Sequence, residues 1–197
     1  MNICIFASGQ GSNFKVIYSE VLKKNLSSQI KLLVSNNPSC GAVQFAIESG
    51  IKYLIYNSSE KEKNISTSEL LNELEKNEID LIILAGYMKK IEPEIIQKYK
   101  DRIINIHPAL LPAYGGKGMY GMNVHTAVIS NGEKQSGITI HFVDDIYDNG
   151  KIIFQKAVDV SSDDDAVSLQ RKIQELEHKY YPMILKKFEA EDFKKKK

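Results

Sequence analysis

The 197-residue chain has only two cysteines, Cys4 and Cys40, and no CxxC pair. That excludes a disulfide framework and a zinc knuckle. No apolar run approaches the ~20 residues that a membrane helix needs. Met1 to Ala7 is too short and too uncharged for a signal peptide, so a cytoplasmic protein without a membrane partner is expected. Charge of one sign is also lacking: 26 basic against 25 acidic residues leave +1. The last four residues are all lysine, so the body is slightly acidic. A basic patch for nucleic acid is therefore missing, and residues 191–197 read as a disordered basic tail. There is no GxSxG, hence no serine-hydrolase elbow, and no internal repeat or linker. What remains is 43% hydrophobic and 26% charged, enough to bury one core without staples.

Short apolar runs alternate with helical stripes. Asn2 to Ala7, Ile30 to Val34, Ile51 to Ile55, Leu81 to Ala85 and Ile103 to Ile106 read as strands. Helices are expected from Asn13 to about Asn25, over Gly41 to Ser49, after the capping box Ser66/Glu69, and from Pro93. Ile138 to Val143 and Lys151 to Val158, with Asn149-Gly150 between them, predict a hairpin. Asp163 to Asp165 suit the first turn of a last helix reaching about Lys187. The fold class is α/β: a Rossmann-like, doubly wound, mostly parallel sheet with an antiparallel edge near the C-terminus. One domain over 1–190 is expected, 1–100 being a nucleotide- or phosphate-binding half and 101–190 a catalytic and folate half.

Three places could carry chemistry. Ser8-Gly-Gln-Gly-Ser-Asn13 lies between the first strand and helix, where a glycine turn and free helix N–H groups suit an anion. Phe14 stands where a dinucleotide fingerprint needs its third glycine, and Ser35-Asn36-Asn37 offers no acid for a ribose. A phosphate monoester fits better than a nicotinamide cofactor; a plain turn fits as well. Asn105-Ile-His-Pro108 ends the fifth strand, and alternation puts Asn105 and His107 on one face. An amide beside an imidazole can hold an oxyanion, or the histidine can be a hydrogen-bonded strand end. Asp148 follows; a carboxylate near His107 would favour the charged imidazolium. His141, Asp144 and Asp145 match no recognised metal spacing. Loop 110–123, with four glycines and Pro112, is long enough to be functional, and Leu111-Pro112 is a candidate cis bond.

Assembled, these motifs resemble the phosphoribosylglycinamide formyltransferases of purine synthesis. The resemblance rests on SGQGSN (8–13), LAGYMKKI (84–91), INIHPALLPAY (104–114), GITIHFVDDIYDNG (137–150) and IQELEHKYYP (173–182). It implies a formyltransferase fold and direct transfer of the formyl group of 10-formyltetrahydrofolate to the amine of glycinamide ribonucleotide. It also implies small-molecule partners only, no metal, and a monomer or weak homodimer. Asn105, protonated His107 and Asp148 would be catalytic, with Asp148 orienting and charging the ring and holding a relay water. Gly11, Ser12 and Asn13 would cradle the phosphate, with Gln174 and Glu177 on the nucleotide. Tyr87, Met88, Lys89, Lys90 and Ile91 would line the folate pocket. Lys63 (or Lys61) would replace an arginine that some members carry. The loop around 115–121 is longer than in other members and is expected to cap the site, with His125 at its far edge. Within the superfamily, a formyltetrahydrofolate hydrolase or a formyltransferase for another amine stays open. A phosphate sensor that keeps the fold without turnover is the non-enzymatic alternative.

Overall fold

The structure, a computed structural model, describes residues 1–57 and 64–190. Lys61, Lys63 and the 191–197 tail lie outside the described residues. Seven strands form one sheet: β1 (Asn2–Phe6), β2 (Gln29–Ser35), β3 (Tyr53–Ile55), β4 (Leu81–Leu84), β5 (Ile103–His107), β6 (Gln135–Phe142) and β7 (Ile152–Asp159). The spatial order is β3-β2-β1-β4-β5-β6-β7. β3 through β5 pair in parallel, whereas β5–β6 and β6–β7 pair antiparallel. The Rossmann-like expectation holds, antiparallel edge included.

Strand alternation sorts the core into two layers. Ile3 and Ile5 of β1, Leu81 and Ile83 of β4, and Ile104 and Ile106 of β5 face one side. They meet α1 (Ser12–Leu22), α2 (Gly41–Glu48), α5 (Met122–Ser130) and α6 (Ala166–Ala190). Cys4 and Phe6, Ile82 and Leu84, and Ile103 face the other, against α3 (Thr67–Lys76) and α4 (Pro93–Lys98). The capping box that starts α3 is present: the Ser66 hydroxyl accepts from the Glu69 N–H at 3.2 Å, and the Glu69 carboxylate takes the Ser66 N–H at 2.8 Å. Pro93 opens α4.

Three expectations change. Asn149-Gly150 is not a tight hairpin turn; nine residues, 143–151, join β6 to β7. Gly150 is required there by contact rather than by turn type, since a Cβ would lie 1.8 Å from the Phe142 carbonyl oxygen. Asp163 to Asp165 precede α6 instead of filling its first turn. Asp165 caps it, accepting the Ser168 N–H at 2.7 Å, and the helix runs past Lys187 to Ala190. Finally, α5 was not legible. It starts at Gly121 with no side-chain cap and no acidic residue in its first turn, so it lacks the signals that mark a helix start. Leu111-Pro112 is cis.

The sheet changes winding direction between β1 and β4, which is where ligands of open α/β sheets bind, beyond the strands' carboxyl ends. α6 is fastened there by one buried side chain. The Tyr181 hydroxyl donates to the carbonyls of Leu84 (3.0 Å) and Ile104 (3.3 Å). Tyr181→Phe removes that donor, and the two carbonyls of the paired strands β4 and β5 lose this additional bond. It is expected to cost about 1–3 kcal/mol in urea unfolding; an unchanged midpoint would show that the bridge contributes nothing.

Candidate active site

The glycine turn after β1 is shaped by Gly11, which has φ +70° and whose Cβ would come within 2.9 Å of Ala42 Cβ. Only glycine satisfies both the left-handed backbone and that approach. The turn delivers Ser12 and Asn13 to the start of α1, whose unpaired N–H groups and dipole favour an anion. Phe14, in the third-glycine position, is buried and packs edge-on against Phe45 with ring centroids 5.1 Å apart. The close helix–strand contact of a dinucleotide fold is thereby replaced by an aromatic pair.

Asn105 and His107 do project from the same face of β5, and Asp148 reaches them from the 143–151 connection. Asp148 Oδ2 lies 3.6 Å from His107 Nδ1 and accepts the Gly116 N–H at 2.9 Å. Its Oδ1 lies 3.5 Å from Asn105 Nδ2 and 3.6 Å from His141 Nε2. The Asp148 backbone has φ +54°, a left-handed position that aspartate tolerates better than most residues.

His107 Nε2 lies 2.8 Å from the Tyr114 carbonyl, which only accepts, so Nε2 carries the hydrogen and Nδ1 faces Asp148. Burial pushes the ring's pKa below its ordinary value; Asp148 and the Tyr114 carbonyl pull it upward but do not overcome this. That direction runs against the expected imidazolium. The neighbouring carboxylate was legible in the sequence, whereas the depth of burial was not. Burial alone would also raise the Asp148 carboxyl, but the His141 and His107 rings and the Gly116 N–H together hold it below 3.8.

His141 is the residue that sequence reading undervalued. It stands directly across from Asn105 in the β5–β6 register. Its Nδ1 lies 2.8 Å from the Phe142 carbonyl, leaving Nε2 to accept from Asn105 Nδ2 at 3.1 Å. It thus orients the amide rather than joining Asp144 and Asp145 around a metal. Among the described residues no group of three or more His, Cys, Asp or Glu side chains is arranged to hold a metal ion.

Two cavities meet at this cluster. The larger, about 660 Å³, is lined by Gly11, Ser12 and Asn13, by Asn105, His107 and Asp148, by Gln174 and Glu177, and by Met88, Lys117 and His125. The smaller, about 70 Å³, is lined by Tyr87, Lys89, Lys90 and Ile91 together with Asn105, His141 and Asp148. Ile91 is largely a core residue, 3% exposed. Tyr87, Asn105, Tyr147 and Asp148 border both. The halves 1–100 and 101–190 each contribute to each cavity, so the boundary at residue 100 does not divide the site by task. Loop 115–121 does border the larger cavity. His125 sits beside it on α5, buried and with an unpartnered Nδ1.

At the far wall, Glu177 accepts the Asn13 amide at 2.9 Å, and burial pushes its carboxyl up to about 7. The unfolded chain would lose that proton near the ordinary 4.5. Between those values the folded state binds more proton, so stability falls as pH rises through the window. Glu177→Gln keeps the acceptor for Asn13 and removes the charge. It is expected to stabilise by about 2–3 kcal/mol at pH 8 and by almost nothing at pH 4. Urea unfolding at the two pH values checks this; an equal effect at both would contradict it.

Comparison with known proteins matches residues 1–185 to the formyl transferase family. The chain is 42% identical over 185 residues to the chloroplastic phosphoribosylglycinamide formyltransferase of Arabidopsis thaliana, covering 93% of this chain and 63% of that protein. It is 36% identical over 183 residues to the phosphoribosylglycinamide formyltransferase of Bacillus subtilis, covering 92% and 91%. Among solved structures, phosphoribosylglycinamide formyltransferase from Bacillus halodurans superposes with a TM-score of 0.85 at 34% identity, covering 95% of each chain. The chain spans about six-tenths of the length of the plant relatives.

Proposed function

Because the chain belongs to the formyl transferase family, we propose that it transfers the formyl group of 10-formyltetrahydrofolate to the primary amine of glycinamide ribonucleotide, a step of purine synthesis. One observation carries the reading. Asn105 and Asp148 stand on the border of two cavities, His107 lines the larger of them, and that larger cavity also takes in an anion cradle at Gly11–Asn13. A phosphorylated amine fits the large cavity, and the formyl donor enters from the cleft lined by Tyr87 to Ile91, which must widen to admit a pterin. Lys63, which the family resemblance offers for the donor's glutamate tail, lies outside the described residues.

The amine nitrogen attacks the formyl carbon and its π electrons move onto oxygen. One amide hydrogen of Asn105 is held firmly by His141. The other makes only the long 3.5 Å approach to Asp148 and is the one free to turn to the oxyanion. The attacking nitrogen becomes acidic. His107 Nδ1, unprotonated and beside Asp148, takes its proton, and the carboxylate steadies the resulting imidazolium. Collapse of the intermediate breaks the bond from carbon to the folate N10, which receives that proton. The sum is formylated amide plus tetrahydrofolate, with no proton gained or lost. Glu177 and Gln174 line the same cavity, which supports the reading that Glu177 takes the ribose hydroxyls and Gln174 the nucleotide. Both substrates are charged and water-soluble, in keeping with a cytoplasmic setting.

Incubating the purified chain with both substrates is expected to give formylated acceptor and deformylated folate one for one. Folate release with formate and no formylated acceptor would make the protein a hydrolase instead. Asn105→Ala, His107→Ala and Asp148→Asn are each expected to lower kcat by roughly 100- to 1,000-fold, the usual cost of losing such a group. Circular dichroism would establish that the variants fold. A folded variant retaining wild-type turnover would remove that residue from the mechanism.

A further inference from the structure

The larger cavity has an unbalanced charge inventory. Its carboxylates are Asp148 and Glu177; its two imidazoles, His107 and His125, are both pushed by burial toward the neutral form. Gln170 and Gln174, on the α6 wall, carry no charge. A phosphate dianion entering this space meets the α1 N-terminus but also the Asp148 carboxylate and a Glu177 carboxyl only partly ionised near pH 7, and the partial charge of one helix end amounts to only about half a unit. Among the described residues that line the cavity, Lys117 is the one lysine or arginine.

Lys117 is also uncommitted. Its side chain is exposed and has no hydrogen bond or ion pair with the described residues. Its position is nevertheless fixed from one side. The preceding residue, Gly116, is pinned by its N–H to Asp148 at 2.9 Å, and the Gly116 carbonyl accepts the Met119 N–H at 3.1 Å. The ammonium therefore starts from an anchored backbone in the wall of the cavity that Gly11–Asn13 also line. A lysine on an anchored loop that lines the same cavity as an anion cradle is suited to an anionic ligand.

We infer that Lys117 is a specificity-determining residue that pairs with the acceptor's phosphate and so selects the phosphorylated over the unphosphorylated amine. This rests on the proposed acceptor but not on turnover, since it concerns binding. The ammonium supplies up to three donors at the side of the phosphate turned away from the α1 N–H groups. The folate needs no part in it.

Calorimetry of the full chain with glycinamide ribonucleotide and with its dephosphorylated riboside tests the pairing without catalysis. Lys117→Met is expected to reduce the preference for the phosphorylated ligand by about tenfold or more, the worth of one hydrogen bond to a charged group. Lys117→Arg is expected to keep most of it. Equal weakening toward both ligands, or a wild-type protein with no preference, would overturn the inference. So would a loss confined to the folate, which would assign the lysine to the donor's carboxylates. Failure of the functional reading is separate: it would show as absent formyl transfer by the wild type, whatever the two affinities.

Discussion

The end of this sheet that carries the candidate active site is organised around one carboxylate. Asp148 faces His107 and His141, lies against the Asn105 amide and accepts the Gly116 N–H. An ionised carboxylate only accepts hydrogen bonds: the Gly116 N–H supplies one at 2.9 Å and the Asn105 amide a longer one at 3.5 Å, with His107 Nδ1 and His141 Nε2 each 3.6 Å away. It therefore joins β5, β6, the 143–151 connection and the loop that begins at Gly115. A backbone at φ +54° is strained for any side chain, by of order 1–3 kcal/mol, and persists because these contacts hold it. Without that carboxylate the loop loses its anchor and the imidazole loses the group that would stabilise its charged form.

Burial sets the chemistry that this arrangement can perform. A solvent-exposed histidine beside an aspartate would carry a proton at neutral pH and could only donate. Here burial wins over the carboxylate and lowers the ring's pKa; in the proposed mechanism this lets the ring accept the amine's proton, with the carboxylate contributing most at that moment. Glu177, raised by the same effect to about 7, lies at the opposite wall. Both groups are costly for stability in their charged forms. The fold offsets this through the two apolar layers and the Tyr181 bridge that holds α6 over the strand ends.

Much of this was legible in the sequence because it follows from local periodicity. Apolar runs gave the strands, Ser66 and Glu69 the start of α3, and the period of two placed Asn105 and His107 on one face. The motifs around Gly11, His107, Asp148 and Glu177 carried the family resemblance. What could not be read depends on register or depth. His141 is adjacent to Asn105 only through antiparallel pairing across 36 positions of chain. The neutrality of His107 depends on how much protein covers it. The 143–151 connection looked like a hairpin because Asn-Gly is a strong turn signal; the tight approach of Gly150 to Phe142 explains the glycine differently. α5 had no cap to announce it.

The protonation of His107 tests the central claim most directly. In a nitrogen-15 NMR titration of the free protein, the account predicts a ring neutral at pH 7 with the hydrogen on Nε2, charging only below the ordinary 6.5, and at a lower pH still when Asp148 is replaced by asparagine. An imidazolium at pH 7, or a titration unmoved by the Asp148 substitution, would contradict it.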